Sequence, residues 1–206
     1  MTEVTGGTGE GDGKGAQTRR AVLAAAIERF ARDGFRATSV ADIARDAGVG
    51  GTVPYAYFPN KEALFLAALD EDAAGVIHEG VSYIFTDQSS TEWRGTLIFT
   101  LIDAVERHPL AARVLSGLEP HVTARMLELP ALEELRKAVA DRLRHDQLAG
   151  VVRADLDPVS FARGAVAIII SVLLSVLQFG REGAVDYGGD VLAVFEAALD
   201  PARPRH

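Results

Sequence analysis

Cysteine is absent from this 206-residue chain, which excludes disulfides, thiolate metal sites and cysteine nucleophiles together and fits a reducing compartment. Other chemistries are missing too. The five histidines (His78, His108, His121, His145 and His206) show no metal-ligand spacing. No glycine-lysine phosphate loop occurs, and no serine stands in a nucleophile-elbow context. The expectation is a protein that is not an enzyme, with no catalytic residues, no metal ligands and no cofactor. No alternating strand pattern and no internal repeat appears, so the fold class expected is all-α. The first fifteen residues are glycine-rich and polar and lack the apolar segment of a secretory signal. The longest apolar run, Gly164 to Leu177, would reach roughly 21 Å as a helix, against roughly 30 Å for a bilayer core. It reads as a buried helix, and the chain as a cytoplasmic protein without a membrane partner.

Basic residues are in the minority overall, with a net charge of −8, yet they are unevenly placed. Between Ala16 and Lys61 stand 7 basic residues (Arg19, Arg20, Arg29, Arg32, Arg36, Arg45, Lys61) against 4 acidic ones. After Lys61 the balance is strongly acidic. A mildly basic front on an acidic body suits a molecule that meets phosphates at one end; ordinary surface variation is the competing reading.

Within that front, Thr38 to Phe58 reads as a helix, a glycine-marked turn and a second short helix. Thr38 or Ser39 can cap a helix whose inner face carries Val40, Ile43, Ala44 and Ala47, leaving Asp42, Arg45 and Asp46 for solvent. Gly48 falls where the chain reverses, and glycine reaches the left-handed backbone region without a Cβ clash. Val49, Val53, Pro54, Tyr57 and Phe58 supply apolar groups for the second helix and its exit. Two helices at this spacing make a major-groove reader, although helical hairpins also occur in all-α domains that bind no DNA.

The flanks narrow the reading. Upstream, a helix over Thr18 to Arg32 has a basic outer face and ends at Asp33-Gly34. Downstream, Asn60 caps another helix, opened by Ala63 to Leu69. The pattern Ala26-x-x-x-Phe30, Gly34-Phe35, Thr38-Ser-Val-x-x-Ile43-Ala44, Ala47-Gly48-Val49 and Tyr55-x-Tyr57-Phe58-Pro59-x-Lys61-Glu62-x-Leu64 resembles the TetR family of transcriptional regulators over about a quarter of the chain. The domains expected are a disordered tail over 1–15, a three-helix DNA-binding domain with a helix-turn-helix over 16–61, a larger helical ligand-binding and dimerisation domain over 62–200, and a tail over 201–206.

DNA-contact candidates follow from this placement. Thr38 and Ser39 sit at a helix N-terminus that favours phosphate. Arg45 suits a phosphate contact or a solvated charge. Gly50, Gly51, Thr52, Val53 and Ala56 lie in the reading segment, with methyl groups available for thymine. Tyr55, Tyr57 and Lys61 match family positions that contact the backbone, although Tyr57 also suits the core. The chain departs from the family at Gly50, where Ser or Thr is common, at Gly51, where a polar or basic group is common, and at Pro54, where Leu or Ile is usual. No lysine or arginine lies between Val49 and Asn60, so discrimination would rest on few contacts or on DNA shape. Flexible arms can enter the minor groove, but Glu3, Glu10 and Asp12 oppose Lys14, and disorder is the better reading of the tail.

The remainder reads as helices over about 62–82, 90–107, 110–118, 120–148 with a bend near Pro130, 158–179 behind the Asp157-Pro158 start signal, and 187–199. An apolar helix beside a last amphipathic one needs cover that a second copy would supply. The resemblance implies a homodimer in which these two helices pair across a two-fold axis, with Val166, Ile169, Val172, Leu173, Val176, Val191, Val194 and Phe195 as interface candidates; intrachain core is the competing reading of each. It also implies a small-molecule effector pocket, for which Tyr83, Trp93, Phe99, Asp103, His121, Met126 and Phe161 are candidates, or else core residues. The function expected is a repressor released from a palindromic double-stranded DNA operator when the effector binds. The alternative is a helical small-molecule-binding protein whose DNA readout is weakened or lost.

Overall fold

Helix starts and stops written into the sequence organise the chain, and the computed structural model describes residues 9–85 and 92–201. The elements are α1 (Gly9–Ala37), α2 (Val40–Asp46), a 3-10 turn η1 (Val53–Ala56), α3 (Lys61–Ile84), α4 (Trp93–Val105), α5 (Pro109–Leu115), α6 (Pro120–Met126), α7 (Pro130–Leu148), α8 (Pro158–Phe179) and α9 (Arg181–Leu199). No strand occurs among the described residues. The chain divides into two compact units, Met1–Leu69 and Asp70–His206.

In the first unit α1 starts earlier than its Thr18 signal predicts. The Thr18 hydroxyl donates back to the Lys14 carbonyl at 2.9 Å, the bond of a hydroxyl inside a helix rather than of a cap. The tail expected over 1–15 is therefore helical from Gly9, while its first eight residues lie outside the described ones. The stop is where the sequence places it, since Gly34 has φ 80° and interrupts the helix. Val22, Leu23, Ala26 and Phe30 of α1, Val40, Ile43 and Ala44 of α2, and Leu64, Phe65 and Ala68 of α3 form the buried core. Phe65 meets Phe30 edge-on at 4.9 Å and Phe35 at 5.3 Å, a favoured aromatic geometry.

In the second unit α7 and α8 lie side by side and α9 packs on α8. Proline opens α5, α6, α7 and α8, where its missing N–H would have had no helical partner. The single bent helix expected over Pro120–Leu148 is two helices, because Pro130 starts a new one rather than bending an old one. The cap expected at Ser90 or Thr91 lies outside the described residues. Asp157 caps α8 by accepting from the Val159 and Ser160 amides, and α9 begins at Arg181, directly after Gly180. From Pro158 to Phe179 the apolar helix is long and apolar enough to cross a membrane by length and composition, so the length argument drawn from the shorter run is corrected. Burial of Ala162, Val166, Ile169, Ile170 and Val172 within the unit accounts for the apolar residues of one face.

Candidate nucleic-acid interface

The reading segment is held from both ends. Ser39 caps α2: its Oγ accepts from the Asp42 amide at 3.1 Å and donates to the Asp42 carboxylate at 2.7 Å. At the other end Gly48 adopts φ 68°, the Gly48 amide bonds the Arg45 carbonyl at 3.1 Å, and the Val49 amide bonds that of Ala44 at 2.9 Å. This double bond closes a helix only when the residue after the cap is left-handed. Gly48→Ala is expected to lower stability of the first unit by about 1 kcal/mol, measured as a shift in its urea midpoint by circular dichroism; an unchanged midpoint would refute the strain argument.

Beyond the turn, the second helix is a single 3-10 turn. Its amides are satisfied in sequence: Val53 bonds the Gly50 carbonyl, Tyr55 that of Thr52, and Tyr57 and Phe58 both use that of Pro54. Pro54 is buried, so the ring supplies apolar bulk at a position where its missing donor costs little. Gly50, Gly51, Thr52 and Ala56 are exposed, Val53 and Tyr57 half-buried, and Tyr55 is 53 % exposed. These residues share one short surface segment. Thr38 does not join them: it is only 3 % exposed, and its hydroxyl donates to the Gly34 carbonyl at 2.8 Å. Its candidacy as a phosphate contact is corrected, because that hydroxyl satisfies the carbonyl left open where α1 breaks.

The basic front is partly neutralised within the unit. Arg29 grips Asp46 through Nε at 2.5 Å and Nη2 at 2.9 Å, tying α1 to α2. Arg32 pairs with Asp33 at 2.9 Å, and Arg45 with Asp42 at 2.5 Å while leaving its guanidinium largely exposed. Lys61 donates to the Arg36 carbonyl at 3.4 Å and sits 4.6 Å above the Phe35 ring, so it also closes the break in α1. Arg19 lies 5.5 Å over the Phe58 ring, and a Cβ on Gly15 would lie 3.8 Å from the Tyr57 hydroxyl. The first half of α1 thus flanks the reading turn and brings exposed Arg19 beside it. Sequence spacing placed Arg19 and Arg20 on a basic face but gave no register linking that face to Tyr57.

Two carboxylates report on this framework. A hydrogen bond from the Ser39 hydroxyl, then one from Arg45, holds Asp42 below the ordinary carboxylate range; the hydrogen bond from Arg29 does the same for Asp46. A depressed folded pKa contributes stability that is present above the unfolded value near ~3.9 and is lost as pH falls through the folded value. Acid unfolding of the first unit below about pH 4 is therefore expected to be shallower in Asp46→Asn, followed by circular dichroism; identical acid profiles would contradict the linkage.

In the second unit the effector candidates separate. Tyr83, Phe99, Asp103 and His121 are exposed, against their expected place in a pocket; each lies on the outer face of its helix. Phe99 and Asp103 do line an open groove of about 480 Å³ with Leu192 and Glu196. Met126 is buried. Trp93 and Phe161 line a small, partly open cavity of about 20 Å³, together with Arg94, Leu97, Ala165 and Phe195. The interface candidates separate likewise. Val166, Ile169, Val172, Leu173, Val176 and Phe195 are buried inside the unit. They are corrected to intrachain core, because the face of α8 that carries them is covered by its own neighbours. Val191 is half-buried and Val194 is 62 % exposed. The outer face of α8 is instead Gly164, Ala167, Ile168 and Ser171.

Comparison with known proteins agrees with this geometry. Residues 22–68 match the sequence profile of the bacterial regulatory proteins of the tetR family. The HTH-type transcriptional regulator RutR of Escherichia coli K12 is 45 % identical over 51 residues, covering 25 % of this chain and 24 % of the relative. The matched stretch is thus about a quarter of that relative's length. A TetR-family regulator from Pectobacterium atrosepticum superposes with a TM-score of 0.72 at 17 % identity, over 94 % of this chain and 98 % of that one. Bacillus subtilis FadR, solved in complex with stearoyl-CoA, superposes with a TM-score of 0.63 at 20 % identity, over 87 % and 98 % of the two chains. At these identities the structural likeness concerns the fold. Residues 22–68 thus form a domain of the tetR family of bacterial regulatory proteins, and the chain as a whole shares the helical fold of the regulators it superposes on.

Proposed function

We propose that this protein is a dimeric, cytoplasmic transcriptional repressor that binds a palindromic operator and releases it when a small molecule occupies the second unit. The observation that carries the reading is the segment Gly50–Tyr57, exposed at Gly50, Gly51, Thr52, Tyr55 and Ala56 and held between the Schellman-type turn at Gly48 and the Asn60-capped start of α3, where the Ala63 amide donates to Asn60 at 2.8 Å. Thr52, Val53, Tyr55 and Ala56 present methyl, hydroxyl and aromatic groups to base edges, and Gly50 and Gly51 let backbone amides approach phosphate. Arg19, Arg20, Arg45 and Tyr57 supply contacts around them. Lys61 acts through the α1 break as well as by its charge. That FadR, a regulator of the same fold, was solved in complex with stearoyl-CoA supports a small-molecule ligand. The exposed face Gly164, Ala167, Ile168 and Ser171 of α8, with Val194 of α9, is the proposed surface for the second copy, and two-fold pairing turns one short reader into a half-site pair.

The test is a gel shift with the full chain on DNA flanking its own gene across a salt series. A sequence-dependent complex whose affinity falls steeply with salt is expected. Arg20→Ala should weaken binding about equally on specific and scrambled DNA, whereas Tyr55→Ala should weaken the specific complex more. No salt-sensitive shift at any concentration would remove the repressor reading. It would favour the alternative, a helical binding protein whose Gly50-Gly51 and Pro54 departures cost it the readout.

A further inference from the structure

Buried charge around Trp93 does not balance. Arg94, Arg142 and Asp146 are 8 %, 1 % and 3 % exposed, two cations against one carboxylate. Asp146 is already committed: one oxygen accepts from Arg142 Nε at 2.8 Å and the other from Trp93 Nε1 at 3.0 Å. Arg94 Nη2 stays 3.6 Å from that second oxygen, beyond hydrogen-bond reach. Both Arg94 Nε and Nη2 are buried without an acceptor. Burial pulls the Arg94 pKa down from its usual value, against the attraction of Asp146 and Glu196. Arginine nevertheless keeps its charge in proteins, so it cannot escape by losing a proton.

The empty edge has a known complement within the same molecule. Arg29 holds Asp46, Arg32 holds Asp33 and Arg153 holds Asp155, each through Nε and Nη2 to the two oxygens of one carboxylate. Arg94 presents this same edge with nothing on it, buried behind the wall of a cavity that shows only apolar surface, from Leu97, Phe161, Ala165, Ile169 and Phe195 among others. We propose that the effector of this protein is a small carboxylate with an aliphatic or aromatic group, its two oxygens on the Nε and Nη2 edge of Arg94 and its apolar part against Phe161 and Phe195. The inference rests on the ligand-responsive reading above and names the chemistry of its ligand. The cavity of about 20 Å³ holds no more than a water. Entry of such a ligand therefore displaces Phe161 from its edge-on contact with Phe195, now 5.8 Å between centroids. That displacement links the ligand to the packing of α8 against α9.

The experiment uses the full chain without DNA, at constant chloride, and measures binding of octanoate and benzoate beside octanamide and benzamide by calorimetry and thermal shift. At least one carboxylate should bind saturably, and at least tenfold more tightly than its amide. Arg94→Met should weaken it at least tenfold while raising the melting temperature of the ligand-free protein, because an unpaired buried cation is gone; a purely structural arginine would lower it. Arg94→Lys, which keeps the charge and loses the fork, should also bind at least tenfold more weakly, and it serves if the methionine variant does not fold. Equal binding of acid and amide, no binding of either acid, or wild-type affinity in either variant would overturn the proposal. Gel shifts of the ligand-free protein are read separately. Carboxylate binding without DNA binding leaves this site standing and removes the repressor, and DNA binding without carboxylate binding does the reverse.

Discussion

Asp146→Ala is expected to destabilise the second unit by about 3–5 kcal/mol, the range for removing one partner of a buried ion pair. The carboxylate is the hydrogen-bonded counterion of Arg142 and the acceptor of Trp93 Nε1, and it is the nearest negative charge to Arg94 at 3.6 Å. Its removal leaves two guanidinium groups beside the Trp93 ring, 5.3 and 5.7 Å from its centroid, without the carboxylate they share. Asp146→Asn keeps an acceptor for Trp93 and loses the charge, so an intermediate loss is expected. Trp93 is the single tryptophan of the chain and is buried in this unit, so its fluorescence during urea unfolding follows the second unit alone. A loss below about 1 kcal/mol, the scale of an ordinary exposed ion pair, would mean that the network is solvated and the charge imbalance at Arg94 is relieved by water.

Asp72→Ala is expected to cost about 3 kcal/mol by a different route. One Asp72 oxygen accepts from the Leu110 and Ala111 amides at 2.9 and 2.8 Å, capping α5 from another element, and the other lies 3.1 Å from His108 Nδ1. Without it two buried helix-end amides lose their acceptor, each a penalty of about 1–3 kcal/mol. His108 in turn lies 3.3 Å from Glu79 and so close to α3 that a Cβ on Gly75 would fall 2.2 Å from its ring. Glycine at 75 is what lets the imidazole reach both carboxylates. The same fluorescence measurement checks the variant, and Asp72→Asn, which retains one acceptor oxygen, should lose about half as much. A neutral result for Asp72→Ala would show that water replaces the carboxylate at the α5 amides.

The first unit was legible in the sequence because its signals are local. Ser39, Gly48, Asn60 and Gly34 each act within a few residues, through a cap, a left-handed turn or a break, and their outcomes do not depend on distant packing. Thr38 was misplaced because its hydroxyl answers a need created four residues earlier, at the carbonyl left open by Gly34. Sequence alone offered Thr38 and Ser39 as equivalent caps. The second unit was less legible for the opposite reason. Val166 and Ile169 read equally well as core or as dimer surface, since an apolar residue carries no mark of which molecule covers it. Phe99 and Asp103 looked like pocket residues by type and stand outside.

The sequence by itself determined the helical class, the helix starts at Ser39, Asn60 and Asp157-Pro158, the Gly48 turn and the family resemblance of the first unit. Each of these follows from backbone sterics and short-range hydrogen bonds that a few neighbouring residues specify. Only the tertiary structure decided that Thr38 is internal, that the buried face of α8 belongs to its own chain, and that Arg94 Nε and Nη2 are left without an acceptor while Arg142 and Trp93 share Asp146. Those are outcomes of competition for one carboxylate among residues as many as 53 positions apart, and which donor loses is set by three-dimensional distance and burial, which no spacing along the chain encodes.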